Sequence, residues 1–197
     1  MRANRHPDHG TCAGLTLIEL MVTIAIAAIL LAIAVPNLQN LFINNRLVTT
    51  ANNFVASLNT ARSEAIRRGA SVSLRRNSTT SGDWGSAGWT MFVDSDADGT
   101  LDSGETTLKI ENALPSPLTL YANANFVNFI RFLPSGQSNN FGTFVICHDG
   151  LLQQGGDARS RAIIVNATGR VRVAQDSNGD GIPNKDDGNN VASCTNP

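Results

Sequence analysis

GLTLIELMVTIAIAAILLAIAVP, residues 14–36, is the stretch of this chain that decides its fold. From Leu15 to Val35 every residue is apolar except Thr16, Glu19 and Thr23. As an α-helix these 21 residues would be about 30 Å long, since each residue adds about 1.5 Å. That length crosses the hydrocarbon core of a bilayer, so the stretch predicts a membrane-spanning helix.

Glu19 does not fit an ordinary membrane anchor. An ionised carboxylate inside a bilayer costs about 2.5 kcal/mol or more, so it needs a partner and indicates a function. A plain anchor explains the length of the stretch but not this acid. A secretory signal would place its cleavage site after the apolar region, whereas Gly14 precedes it and the Ala-Val-Pro-Asn at 34–37 is a poor site.

The N-terminus resembles the class III signal of type IV pilins and type II secretion pseudopilins. The resemblance consists of a short polar leader ending in Gly14, an apolar Leu15 where Phe or Met is more usual, and Glu19 four residues later. It implies that a prepilin peptidase removes residues 1–14 and methylates the new N-terminus at Leu15. It also implies that Glu19 pairs with the N-terminal amine of a neighbouring pilin during assembly.

The helix is expected to continue well beyond the membrane. Pro36 stands where pilins have a kink, and apolar residues then recur at three- and four-residue steps up to Gly69, a suitable residue to follow a helix C-terminus. The predicted segments are a cleaved leader (1–14), a membrane and filament-core half-helix (15–36), an amphipathic half-helix (37–69) and a β-rich domain (70–197).

After Gly69 the apolar period changes from helical spacing to two, which predicts strands. The expected strands lie at 71–74, 89–93, 106–110, 126–133, 143–147, 161–165 and 170–173. One long helix followed by antiparallel strands is an α+β, pilin-like fold.

This order narrows the resemblance to the GspH/FimT/FimU family of minor pilins and pseudopilins. It is similar in the helix tail 61–65, in the strand 89–94 that enters an acidic turn, and in the Gly-Arg-Val-Arg at 169–172. The resemblance implies a structural subunit, not an enzyme, that incorporates into or primes a type IV pilus with other minor and major pilins. The alternative it implies is the minor pseudopilin H of a type II secretion system.

Charge is divided unevenly along the chain. Without residues 1–14, nine of 15 Asp and Glu residues lie in two loops, 94–105 and 176–187, and the rest of the chain carries 12 basic against 6 acidic residues. A basic domain favours polyanionic partners. In FimT proteins a Gly-Arg-x-Arg element is implicated in binding double-stranded DNA during natural transformation, which implies a DNA site here; its expected residues are Arg170 and Arg172, joined by Arg159 and Arg161. The other interpretation is a solvated strand face, or one that contacts a neighbouring pilin.

Both acidic loops match the spacing of calcium-binding loops, which converge oxygen ligands on one ion. In the first loop the predicted ligands are Asp94, Asp96, Asp98, Thr100, Asp102 and Glu105. In the second, where calcium is slightly favoured, they are Asp176, Asn178, Asp180, Ile182, Asn184 and Asp187. The alternatives are a hydrophilic hairpin loop and a flexible acidic tail. No other cofactor is expected.

The cysteines predict a disulfide. Cys12 leaves with the leader, and Cys147 and Cys194 remain in a domain expected outside the cytoplasm, because Arg2 and Arg5 favour a cytoplasmic N-terminus. Two unpaired thiols are the alternative. His148 follows Cys147, but no acid has the spacing to orient it, so we expect no catalytic site. The expected location is the inner membrane before assembly, with the domain in the periplasm, and the pilus at the cell surface afterwards.

Overall fold

The computed structural model describes residues 16–197, so Gly14 and Leu15, the predicted processing residues, lie outside the described residues. The described chain contains one α-helix, one short 3-10 helix at Ala124–Phe126, and ten strands. They are α1 (Leu17–Arg68), β1 (Val72–Arg76), β2 (Trp89–Val93), β3 (Thr107–Glu111), β4 (Leu118–Ala122), β5 (Phe129–Phe132), β6 (Gly142–His148), β7 (Gln153–Gln154), β8 (Asp157–Ala158), β9 (Ser160–Val165) and β10 (Val171–Val173).

Helix α1 has clear signals at both ends. At its start the backbone N–H of Glu19 donates to the Thr16 hydroxyl oxygen at 3.2 Å, so Thr16 caps the first turn. At its end Gly69 has a φ of +64°, as expected for the residue after a helix. The helix continues through Pro36 without a break in its assignment. A kink at Pro36 stays a prediction.

The chain divides inside α1 into two compact units, Met1–Asn40 and Leu41–Pro197. The described part of the first unit is helical from Leu17 onward, and its large apolar side chains are exposed; Leu17, Ile24 and Leu30 are 77%, 60% and 62% exposed. In the second unit the same helix buries one stripe, at three- and four-residue steps typical of a helix face packed on a core. The members of that stripe are Leu47, Ala51, Phe54, Leu58, Ala61 and Ala65.

Two antiparallel sheets form the rest of the second unit. One has the strand order β3-β2-β1-β5 and the other has the order β10-β9-β6-β4, while β7 and β8 make a separate two-stranded hairpin. Strand β6 is buried at all seven positions, which fits a central strand covered on both faces. The expected α+β fold, a long helix packed on antiparallel sheets, is confirmed.

The main core lies between α1 and both sheets. Phe54 of α1 is fully buried and makes edge-to-face contacts with the rings of Trp84, Trp89 and Phe144, with centroids 4.8–6.1 Å apart. Edge-to-face pairs at such distances are favourable beyond the area that they bury. This aromatic cluster therefore holds the second half of α1 on the β domain.

A smaller apolar cluster covers the other face of the second sheet. It contains Val145 and Ile164 from the sheet and Val191 from the C-terminal tail. The tail is fixed there by the predicted disulfide between Cys147 and Cys194, which is confirmed.

The strand predictions need correction at two main places, and the two-residue strands β7 and β8 are also absent from the predicted set. The strand expected at 126–133 begins only at Phe129, because the Phe126 carbonyl accepts a hydrogen bond from the Trp84 indole N–H at 3.0 Å instead of joining a ladder. Strand β4, Leu118–Ala122, is absent from the predicted set, because Pro115 and Pro117 lie directly before it and proline disfavours a strand. The structure buries Leu118, Leu120 and Ala122 and leaves Thr119 and Tyr121 partly exposed, which is the period of two typical of a strand.

Candidate functional sites

The first candidate site is the exposed start of α1. It is the one helix among the described residues that is long and apolar enough to cross a membrane. Within residues 16–197 the Glu19 carboxylate has no ion-pair partner. Its place in the first helical turn is favourable in itself, since a negative charge there interacts well with the helix dipole.

The four arginines predicted to bind DNA do not form one cluster. Arg161 is paired with Ile146 of the main core, whereas Arg172 is paired with Ile164 of the smaller cluster. Side chains directly opposite in a ladder share a face and successive ones alternate, so these two arginines lie on opposite faces of the sheet. The expectation that Arg161 joins Arg172 is wrong.

Arg159 and Arg161 are also engaged in the protein interior. Arg159 is only 8% exposed. The Arg161 guanidinium donates to Asn44 of α1 and to the Ser160 carbonyl, and burial lowers the pKa of Arg161 below its usual range. Arg161 therefore links β9 to α1, and Arg159 is largely removed from solvent.

Arg170 and Arg172 are more accessible. Arg170 is exposed, and Arg172 is partly exposed but forms an ion pair with Asp186 of the second acidic loop. Gly169, which precedes them, has a φ of +76°, and a Cβ there would overlap the Gly136 carbonyl oxygen. A glycine is thus required to bring this turn against the 136 loop, where the Arg62 side chain donates to the Gly136 carbonyl at 2.8 Å.

In the first acidic loop three of the predicted ligands come together. Asp94, Asp96 and Asp98 place one carboxylate oxygen each within 4.8 Å of the others. Asp102 and Glu105 are not in this group: the Glu105 carboxylate accepts from the backbone N–H groups of Ser95 and Asp102 and so closes the loop. Desolvation, followed by the neighbouring carboxylates, raises the pKa of Asp102.

The second acidic loop repeats three backbone hydrogen bonds of the first and adds one, from the Gly179 N–H to Asp176 Oδ1 at 2.8 Å. In both, the first Asp accepts from the Gly five residues later: Asp94 from Gly99 at 3.1 Å and Asp176 from Gly181 at 2.8 Å. The loops differ in their remaining bonds. Asp180 accepts from the Asn190 and Asn178 side chains and the Ile182 backbone N–H, which lowers its pKa. The pKa of Asp187 is lowered by its hydrogen bonds to Asn189.

Sequence reasoning missed the residues that brace the first acidic loop. Arg75 donates to the Gly99 carbonyl at 2.7 Å, and Arg131 donates to the Ala97 carbonyl and lies 3.7 Å from the Asp94 carboxylate. The adjacent strands β1 and β5 carry them in register, with Ser73 opposite Arg131, a pairing that no pattern in a single segment reveals.

A groove in the second unit runs beside α1 and has a volume of about 950 Å³. Its polar lining includes Asn45, Thr49, Asn53 and Glu111, and neither histidine nor cysteine lines it. His148 lies elsewhere and contacts the Asp149 carboxylate at 2.9 Å, so the expectation that no acid would orient it is wrong. Cys147, however, is held in the disulfide and is not a free thiol. This groove therefore offers no histidine or thiol for nucleophilic chemistry.

The helix and the sheets together define a pilin-like protein, with an N-terminal helix that suits a membrane anchor. The family model for type II transport protein GspH matches residues 50–169, and the prokaryotic N-terminal methylation motif matches residues 10–35. The chain therefore belongs to the GspH family of minor pilins and pseudopilins, which are structural proteins.

Individual proteins and solved structures resemble the chain to different degrees. The pilin-like protein PilA1 of Thermus thermophilus is 37% identical over 97 residues, which span 48% of this chain and 56% of that protein. The type IV minor pilin FimU of Pseudomonas aeruginosa has the same fold at a TM-score of 0.56, with 22% identity over 77% of this chain and 96% of FimU. The minor pseudopilin EpsH of Vibrio cholerae gives a TM-score of 0.47, with 16% identity over 67% of this chain and 98% of EpsH.

Proposed function

We propose that this chain is a minor subunit of a type IV pilus, which enters the filament or primes its assembly through the first half of α1. The observation that carries this proposal is the exposed apolar surface of that half-helix with one carboxylate, Glu19, in its first turn. An apolar surface of this kind must be shielded from water by lipid or by other protein. The inner membrane supplies it before assembly, with the β domain in the periplasm, and the helices of other minor and major pilins supply it afterwards.

Glu19 gives the assembly its register. A carboxylate in an apolar helix is tolerated when a positive charge meets it, and no described residue of this chain does so. We propose that the partner is the methylated N-terminal amine of a neighbouring pilin, freed when the prepilin peptidase cuts after Gly14. The N-terminal methylation motif and the pilin-like relative support this sequence of events.

The competing function is that of the minor pseudopilin H in a type II secretion system, which the description of the family model suggests. We favour the pilus because the curated relative is a pilin-like protein and the FimU fold is shared. A pilus system assembles surface pili and a secretion system exports proteins, so one set of strains can distinguish the two functions. The gene is deleted, and piliation and protein secretion are scored in parallel.

The test adds two complemented strains, Glu19→Ala and the control Thr23→Ala. The Thr23 hydroxyl donates to the Leu20 carbonyl within the helix, so its removal leaves no charge unpaired. We expect deletion and Glu19→Ala to reduce surface pili about tenfold or more, with Thr23→Ala and secretion unaffected. Loss of secretion with normal pili would favour the pseudopilin, and normal pili with Glu19→Ala would contradict the proposed pairing.

We propose DNA binding as a second function, confined to Arg170 and Arg172. The exposure of Arg170 and the half-exposure of Arg172 favour it, since phosphate contacts need accessible guanidinium groups. Asp186 competes with phosphate for Arg172. We therefore expect Arg170→Ala with Arg172→Ala to weaken salt-dependent DNA binding, and Asp186→Asn to strengthen it.

The matched control is Arg67→Ala with Arg68→Ala, which removes the same charge from the end of α1, where both arginines pair with Glu64. Binding of a DNA duplex by the full-length protein in detergent is measured across a salt series. Loss of about two phosphate contacts should lower the slope of log affinity against log salt by about 2. A site at Arg170 and Arg172 would be rejected if the control pair weakened DNA binding equally. It would also be rejected if the substitution of Arg170 and Arg172 left DNA binding unchanged.

A further inference from the structure

We propose that the first acidic loop binds one calcium ion through Asp94, Asp96 and Asp98, and that the second acidic loop does not bind calcium. The proposal is independent of which machine the subunit serves. It rests on two observations, the convergence of three carboxylates and a buried carboxylate oxygen that has no partner.

Asp94 is the residue that separates this loop from an ordinary acidic turn. Its side chain is 0% exposed, and its Oδ2 atom accepts from the Gly99 backbone N–H and the Ser73 hydroxyl. Its Oδ1 atom has no hydrogen-bond partner. A buried anionic oxygen without a donor is unfavourable, and a bound cation would supply the missing interaction.

The neighbouring charges leave the loop strongly negative. Five carboxylates lie between Asp94 and Glu105, while two guanidinium groups, those of Arg75 and Arg131, contact the loop. Arg131 is on the Oδ2 side of Asp94, at 3.7 Å, and does not satisfy Oδ1. A divalent cation at the three carboxylates would reduce the excess of negative charge from three to one.

In the second acidic loop, Asp176 and Asp180 have no carboxylate oxygen without a hydrogen-bond donor. Asp176 Oδ1 accepts from Gly179 and Oδ2 from Gly181, both at 2.8 Å. Asp180 Oδ1 accepts from Ile182, and Oδ2 accepts from Asn178 and Asn190. An ion there would have to displace protein donors, so this loop is already satisfied without metal.

The ligand set selects calcium among common ions. Carboxylate oxygens suit hard cations, and Ca²⁺ accepts six to eight oxygen ligands in a flexible geometry, whereas Mg²⁺ demands near-ideal octahedral geometry. Asp96 and Asp98 are exposed, so water can complete the coordination shell. A site with three carboxylates and several waters belongs with extracellular modules, whose dissociation constants are about 0.1–1 mM.

The test is calorimetric titration of the full-length protein in detergent with CaCl₂, using the double variant Asp96→Asn with Asp98→Asn. Asparagine keeps the Oδ1 atoms that accept from the backbone N–H groups of Asp98 and Thr100, so the variant removes charge and preserves the loop. The control variant, Asp180→Asn with Asp187→Asn, removes the same charge from the second loop.

We expect one ion per chain, at least tenfold weaker binding in the first-loop variant, and unchanged binding in the control. The thermal unfolding midpoint of the wild type should rise with millimolar CaCl₂ and that of the first-loop variant should not. No binding at 10 mM CaCl₂, or loss of binding only in the second-loop variant, would overturn the proposal. If the wild type bound a second ion and the control variant did not, the proposal that the second loop binds no calcium would be overturned.

Discussion

Removing the disulfide should destabilise the β domain more than any nearby packing change. The bond joins Cys147 of β6 to Cys194 of the C-terminal tail, with a sequence separation of 47 residues. On the chain-entropy model, opening a loop of that size costs about 4 kcal/mol at 25 °C. Both cysteines are buried, so replacing them with alanine adds about 0.5–1.5 kcal/mol of lost packing at each site.

The variant Cys147→Ala with Cys194→Ala should therefore lose about 5–7 kcal/mol of unfolding free energy. Many domains have a total of only about 5–15 kcal/mol, so the variant should be close to its unfolding threshold. The measurement is urea unfolding of the full-length protein in detergent. Cys12 is replaced by alanine in every protein compared, which prevents mispairing.

Val145→Ala is the matched control because Val145 lies in the same apolar cluster and takes no part in the cross-link. Its loss of two buried methyl groups should cost about 2 kcal/mol. If the cysteine variant loses no more free energy than Val145→Ala, the bond does not stabilise the fold through the tail, and the entropy argument fails.

Two further predictions concern the first acidic loop and the end of α1. Gly99→Ala should lower the free energy of unfolding by about 2–5 kcal/mol, because φ is +76° and a Cβ would overlap the Phe129 ring. The control is Gly104→Ala, which has a φ of +103° but open space around a Cβ, and it should cost less. Urea unfolding measures both variants, and equal costs would contradict the overlap with Phe129. The pKa of Glu64 should lie below its usual value, because hydrogen bonds from Arg68 and then Arg67 stabilise its charged form. The ionised Glu64 therefore stabilises the folded state above the unfolded-state pKa, and this stabilisation is lost as pH falls through the folded-state pKa. A carboxyl NMR titration should show the pKa rising in Arg67→Ala with Arg68→Ala, and an unchanged value would reject the assignment.

The fold followed from periodicity because its elements obey simple spacing. Helix α1 was expected to end near Gly69, and it ends at Arg68. Strand β2 was predicted at its observed bounds. The errors arose where tertiary contacts overrode local pattern, as at Phe126, whose carbonyl is taken by an indole 42 positions earlier. Strand β4 was missed because the prolines before it outweighed a short alternating pattern.

The candidate sites were harder to predict, since they depend on faces and partners. Arg161 and Arg172 both sit near one turn of the sequence, but the register of β9 and β10 places them on opposite faces. The two acidic loops share their spacing and three equivalent backbone hydrogen bonds, so the sequence alone does not separate them as cation sites. The free oxygen of Asp94 depends on Ser73 and Arg131, which belong to other strands.

The two halves of α1 explain why one chain needs both a membrane helix and a braced β domain. The second half buries its apolar stripe under an aromatic cluster centred on Phe54, so its surface is already satisfied within the subunit. The first half leaves its apolar side chains exposed, so its surface can be satisfied only by lipid or by other subunits. Both surfaces belong to one helix, α1, which passes from the first unit into the second. A change at Glu19 should therefore alter assembly without altering the stability of residues 41–197. A change at Phe54 should lower the stability of residues 41–197 before it affects assembly.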